Sequence, residues 1–207
     1  MKPTNPPEIA VVLVNLGTPD EPTVPAVRRY LKQFLSDSRV IEIPPFIWQI
    51  ILNLFILPTR PKRVAHAYAS IWDGDSPLRK IALAQTALLQ QRFDAQALPV
   101  KVSVHTAMTY GNPALPAVLS ALTAKKVEHV VILPAYPQFS GSTTGAVFDA
   151  VAKWGLAARN LPSISFIKDY FAHPLYIQAL ADSVTRFQAE HGKPEKLLFS
   201  FHGIPEP

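Results

Sequence analysis

Ile9-Ala-Val-Val-Leu-Val-Asn15 is an unbroken apolar run closed by Leu16-Gly17-Thr18-Pro19. A short apolar run bounded by Gly and Pro reads as a strand covered on both faces, the kind found in parallel sheets. Working outward, Thr23 is placed to cap a helix whose apolar positions Val24, Val27, Leu31 and Phe34 follow helical spacing, with Pro25 tolerated in the first turn. Ser76-Pro77 is a strong helix start, and Leu78, Ile81, Ala84 and Leu88 are the expected buried face of that helix. Val100 to Thr106 alternates as a strand does, and after the Gly111-Asn-Pro113 break Leu115, Val118, Leu119 and Leu122 return to helical spacing. His129 to Leu133 is a strand stopped by Pro134. Ser142 opens a helix with Val147, Phe148, Val151 and Trp154 on one side. Ser163 to Lys168 is a further strand, and Pro174 starts a helix bearing Ile177, Leu180, Val184 and Phe187. Strands alternating with helices imply right-handed βαβ units, hence an α/β fold with an open parallel sheet flanked by helices in three Rossmann-like layers.

The last strand-like run is Lys196-Leu-Leu-Phe-Ser200, broken by Phe201-His202-Gly203-Ile204-Pro205. That pattern puts His202 at the carboxyl end of a strand, where open α/β sheets bind ligands. An imidazole there takes up a proton or ligates a metal near neutral pH, whereas in isolation a hydrogen-bonded turn histidine is the simpler reading. Three more strand-end loops converge on the same rim: 15–19, 108–113 and 136–145. The last, Tyr136-Pro-Gln-Phe-Ser-Gly-Ser-Thr-Thr-Gly145, is hydroxyl-rich and leads into a helix N-terminus, which suits an anion or simply caps the helix. It is no P-loop, Gly17 belongs to no Gly-x-Gly-x-x-Gly, and no strained serine elbow is present. The rim holds one imidazole, the aromatics Tyr110, Tyr136, Phe139 and Phe201, and hydroxyls. This mixture suits a large, flat, aromatic-compatible ligand with an anionic edge. His105 and His129 fall in or beside strands and read as structural. His66, His173 and His191 read as surface positions, with His66 near enough to Tyr68 to edge a pocket.

Composition narrows the classes. At 207 residues and 48% hydrophobic, the chain is long enough for a full core. Cysteine is absent, which removes disulfides, thiolate nucleophiles and thiolate metal sites, and suits a cytoplasmic setting. A net charge of +5, dispersed apart from Arg60-Pro-Lys62-Arg63, fits an anionic substrate or membrane surface and argues against nucleic acid. The N-terminal Met1 to Pro7 lacks the apolar core of a signal peptide. The most apolar segment, Ile41 to Leu57, carries Glu42, Pro44 and Pro45, and its uninterrupted part, Phe46-Ile-Trp-Gln-Ile-Ile-Leu-Asn-Leu-Phe-Ile-Leu57, is too short to span a bilayer. It reads either as a core-facing helix or as an exposed apolar lip with a basic collar.

Leu13-Val-Asn-Leu-Gly-Thr-Pro-Asp20, Ile71-Trp-Asp-Gly-Asp-Ser-Pro-Leu78, Ala107-Met-Thr-Tyr-Gly-Asn-Pro113, Leu133 to Gly145 and Ser200-Phe-His-Gly-Ile-Pro205 together resemble the ferrochelatases in their proteobacterial form. The likeness runs from about Ile9 to the end, in the family's order. It implies a chelatase-like fold of two similar domains and a lyase that inserts ferrous iron into protoporphyrin IX, the last step of haem biosynthesis. It further implies that iron enters as Fe2+ substrate, with no organic cofactor and no iron–sulfur cluster indicated in this chain. By motif, His202 resembles the family's pyrrole-proton acceptor or iron ligand, and Leu16, Tyr68, Ser76, Tyr110 and Phe148 fall where relatives line the macrocycle. The 46–57 segment resembles the apolar lip through which the family meets the inner face of the cytoplasmic membrane, peripherally. Thr109 stands where many relatives carry Arg, and Gly141 where close relatives often have Cys. Ferrochelatases continue well past this histidine into a second half that supplies a glutamate across the cleft. The expected division is therefore 1–190 as the N-terminal chelatase domain and 191–207 as the first strand and histidine loop of a second domain, with turnover absent from this chain alone. Other readings are a chelatase for another metal or tetrapyrrole, a non-catalytic tetrapyrrole-binding module, and, from the alternating pattern alone, a nucleotide-binding domain disfavoured by the missing phosphate fingerprints.

Overall fold

The structure, a computed structural model, describes residues 7–200 and Gly203. It divides into two compact units at Asp169 and Tyr170. The first holds four strands: β1 (Glu8–Thr18), β2 (Lys101–Gly111), β3 (His129–Pro134) and β4 (Ser163–Phe166). They form one parallel sheet in the order β2-β1-β3-β4. The α/β reading with an open parallel sheet is correct.

β1 is central, which is why its sequence is apolar without interruption. Ala10, Val12 and Val14 face one layer, Val11 and Leu13 the other, and all five are buried. The first layer is α5 (Leu115–Ala124) and α6 (Ala146–Ala157), whose Leu115, Leu119, Leu122, Val147, Val151 and Trp154 complete a core with β1 and β3. A second core lies between α1 (Val24–Leu35) and α3 (Leu57–Ile71), where Val27, Tyr30, Leu31, Leu52 and Ala65 are buried together with Tyr110 of β2. Phe148 departs from expectation: it sits one position beyond the i, i+4, i+7 stripe of Val147, Val151 and Trp154, so it is exposed and meets Phe166 edge-on.

The apolar run is one continuous helical stretch, made of α2 (Pro45–Ile51), a π-helical turn (Leu52–Ile56) and α3. Pro58 and Pro61 lack N–H groups and push the ladder out of α register. Side chains serve carbonyls there: Thr59 Oγ1 donates to Phe55 O at 2.6 Å and Asn53 Nδ2 to Gln49 O at 2.7 Å. Leu52 and Leu57 turn inward, while Phe46, Ile47, Ile50, Leu54 and Phe55 are exposed, Phe46 at 79%. Of the two readings of this stretch, the exposed lip is the observed one. Among the described residues no helix is long and apolar enough to cross a membrane.

Two expectations are corrected. The first concerns α4 (Pro77–Asp94), which does start at Ser76-Pro77. Its expected buried residues Ile81, Ala84 and Leu88 are exposed and Leu78 is only half-buried, because α4 meets the edge strand β2 through small and polar side chains. Ala82 is buried, Thr86 bonds Thr106 at 2.6 Å, and Gln90 pairs with the strand as a peptide group would. Its Nε2 donates to Val102 O at 3.0 Å, and its Oε1 accepts from Val104 N at 2.8 Å. This carboxamide closes the outer edge of β2, a row of backbone groups that otherwise invites strand pairing. Gln90→Leu is expected to cost about 1–3 kcal/mol by stranding those two groups. An unchanged urea midpoint for that variant would refute the cap.

The second correction concerns 196–200, which forms no strand and is exposed throughout, Leu198 at 90%. An extended segment has no hydrogen-bond ladder of its own, and the described residues offer this one no partner strand. In the second unit α7 (Pro174–His191) is capped by His173 Nδ1, which accepts from Leu175 N at 3.3 Å, and ends at Gly192 with φ +84°. Its Ile177, Leu180 and Phe187 are exposed.

Candidate functional site

The carboxyl ends of β1 and β2 run further than their apolar patterns suggest, so Leu16, Gly17, Thr18 and Tyr110 are strand residues. Two glycines allow this. Gly17 has φ +111° and Gly111 φ +80°, a region that suits glycine. Each faces the neighbouring strand's backbone: a Cβ on Gly17 would lie 1.6 Å from Tyr110 O, and one on Gly111 2.6 Å from Thr18 O. The close approach brings Tyr110 and Thr18 to one rim.

A chain of rings extends from that rim. Tyr110 meets Phe34 edge-on at 5.2 Å, Phe34 stacks on Tyr30 at 6.1 Å, Tyr30 meets Tyr68 at 6.5 Å, and Tyr68 meets Trp72 at 6.5 Å. Leu16 and Tyr68 are half-buried against the same cluster. The hydroxyls are tied down. Tyr30 donates to Gly17 O at 3.2 Å, Tyr110 to Asp37 Oδ2 at 2.8 Å, and Thr18 Oγ1 to Ser76 Oγ at 2.8 Å. Ser76 therefore occupies the N-cap position of α4 but spends its hydroxyl on the rim. Burial pushes the phenols of Tyr30, Tyr110 and Tyr136 well above the usual range, with the Asp37 hydrogen bond adding at Tyr110, so at neutral pH all three are uncharged.

Beyond Tyr68, α3 carries an open groove of about 830 Å³ lined by Thr59, Arg60, Arg63, Val64, Ala67, Tyr68 and Ile71. Neither arginine makes an ion pair among the described residues. The arrangement offers an apolar floor, an aromatic end and two guanidiniums, chemistry that accepts a greasy ligand with anionic groups.

Of the residues singled out in the sequence, Leu16, Tyr68 and Tyr110 meet in one cluster, and Ser76 joins through Thr18. Phe148 lies in a separate aromatic pair with Phe166. His202 lies outside the described residues. His129 is exposed on β3. His105 is half-buried on β2, its pKa lowered chiefly by burial and secondarily by Lys125. Sequence reasoning missed Tyr30, Asp37 and Trp72, whose roles arise only once α1, α3 and β2 are packed together. Among the described residues no group of three or more His, Asp and Glu is placed to hold a metal ion.

A family model described as Ferrochelatase matches residues 8–207. The chain is 69% identical over 207 residues to a ferrochelatase of Psychrobacter cryohalolentis, covering 100% of itself and 61% of that protein. It is 60% identical over 201 residues to a ferrochelatase of Acinetobacter baumannii, covering 97% of itself and 60% of the relative. The chain thus spans about 61% of the length of the first of these relatives. With the family pattern matched from the first residue of β1 onward, the chain belongs to the ferrochelatase family.

Proposed function

We propose that this chain supplies the porphyrin-holding wall of an enzyme, a lyase, that inserts ferrous iron into protoporphyrin IX to form protohaem. The observation that carries the reading is the groove along α3, with two arginines, unpaired among the described residues, over an apolar floor that ends at a chain of rings. Protoporphyrin is flat, apolar and edged by two propionates. In this reading Arg60 and Arg63 hold the propionates, while Val64, Ala67, Ile71 and Tyr68 exclude water from one face of the ring.

Metallation removes two pyrrole protons while a divalent ion approaches, and a pocket that grips the ring bent exposes the nitrogen lone pairs. His202 takes the base or iron-ligand role, for which an imidazole is chemically suited. Leu16, Ser76, Tyr110 and Phe148 complete the proposed macrocycle contacts. Residues 1–190 are the N-terminal chelatase domain and 191–207 begin a second one. The exposed lip, with Phe46, Leu54 and Phe55 outward, rests peripherally on the inner face of the cytoplasmic membrane.

A Soret-band titration with protoporphyrin IX, with and without ferrous iron, tests the reading. The chain is expected to bind the free porphyrin, and Arg60→Gln with Arg63→Gln to weaken binding about tenfold or more, as loss of charge-assisted hydrogen bonds does. Equal affinity in both proteins would remove the groove from the proposal. Binding unaltered by iron, with no metallated spectrum even in a family-length chain, would favour a non-catalytic tetrapyrrole-binding module.

A further inference from the structure

The turn after α1 is tied in three directions. Toward the lip, Trp48 Nε1 donates to Leu35 O at 2.6 Å and Gln49 Nε2 to Ser36 Oγ at 3.1 Å. Toward the sheet, Asp37 Oδ2 accepts the Tyr110 hydroxyl at 2.8 Å, while its Oδ1 accepts Arg39 N at 2.8 Å and its carbonyl takes the N–H groups of Val40 and Ile41. Toward α6, the Arg39 fork grips Asp149: Nε to Oδ2 at 2.8 Å and Nη2 to Oδ1 at 3.0 Å. The fork passes beside Gly145, just before α6, where an added Cβ would make only ordinary contact with Arg39 Nη1 at 3.6 Å.

These ties differ in kind. Tyr110 is buried and Trp48 half-buried, so water competes poorly for their hydrogen bonds. The Arg39 and Asp149 side chains are 45% and 25% exposed, so their attraction is open to screening by salt. The guanidinium holds the Asp149 carboxyl below its usual range, and the pair stays charged at neutral pH.

We propose that the Arg39–Asp149 pair is a salt-sensitive latch on the lip. Closed, it holds the turn and the lip helix α2 to α6. Open, it frees the turn from α6 and loosens α2, while Trp48 still ties the lip to Leu35 at the end of α1 and Asp37 still ties the turn to Tyr110 on β2. The turn that leads into the apolar lip is then held to α6 by a solvent-facing ion pair, and it loosens without unfolding the sheet.

Amide hydrogen exchange read by mass spectrometry on the 207-residue chain tests this. In the wild type, protection of residues 36–57 is expected to fall between low and high salt, roughly two- to fivefold, with β1 and β3 unchanged. Asp149→Asn and Arg39→Gln should show the lower protection at both salt concentrations, and the charge-reversed pair Arg39→Asp with Asp149→Arg should recover part of it. Salt-independent exchange of 36–57 in the wild type overturns the latch even where a variant fails to fold, as does an unchanged salt response in the single variants.

Discussion

Gly17→Ala is expected to destabilise the first unit by about 4 kcal/mol or more, a large share of the total stability of a domain this size. Two effects add. The residue sits at φ +111°, where an L side chain is strained, and its Cβ would lie 1.6 Å from Tyr110 O, a backbone atom that moves only if β1 and β2 separate. Separation would also pull Gly17 O away from the Tyr30 hydroxyl and Thr18 away from Ser76, so the rim is lost with the fold. Urea unfolding followed by tryptophan fluorescence measures the cost. Gly141→Ala is the control, because nothing lies within 4 Å of its added methyl. A Gly17→Ala midpoint equal to that of the control would show that the two strand ends can part freely.

His202→Ala, in a family-length chain carrying these residues, is expected to lower metallation about 10²- to 10⁴-fold, the range over which a general base contributes. Porphyrin affinity should change little, because the groove on α3 is built from other residues. Stopped-flow absorbance with ferrous iron measures the first quantity, and the Soret titration the second. Near-normal turnover would take His202 out of the chemistry. A parallel loss of affinity would instead assign it to holding the ring.

How legible each segment is depends on how its polar and apolar groups are satisfied. Ile9 to Asn15 is legible because β1 is covered on both faces, so each position from Ala10 to Val14 is buried. α5 is legible for a related reason: Leu115, Leu119 and Leu122 bury one apolar face. α4 misleads because its contact face is Ala82, Thr86 and Gln90, whose value lies in hydrogen bonds to β2 that no hydrophobic pattern encodes. Lys196 to Ser200 has strand composition and no strand, since pairing is a property of two segments. At the site, Arg60 and Arg63 stand out as a basic cluster in the sequence. The ring chain is hidden, because Tyr30 and Phe34 on α1 find Tyr68 and Tyr110 only through packing.

The π-helical turn at Leu52–Ile56 bears on which way the lip looks. Such a turn lodges an additional residue within a helix, and each residue rotates the segment on its N-terminal side by about 100° relative to the segment on its C-terminal side. With α3 locked to α1 by Leu57 and Ala65, the azimuth of Phe46, Ile47 and Ile50 is a matter of phase rather than of hydrophobicity. The same side chains, one residue out of step, would swing off their present heading, so the facing direction of this greasy surface is encoded by a count of residues.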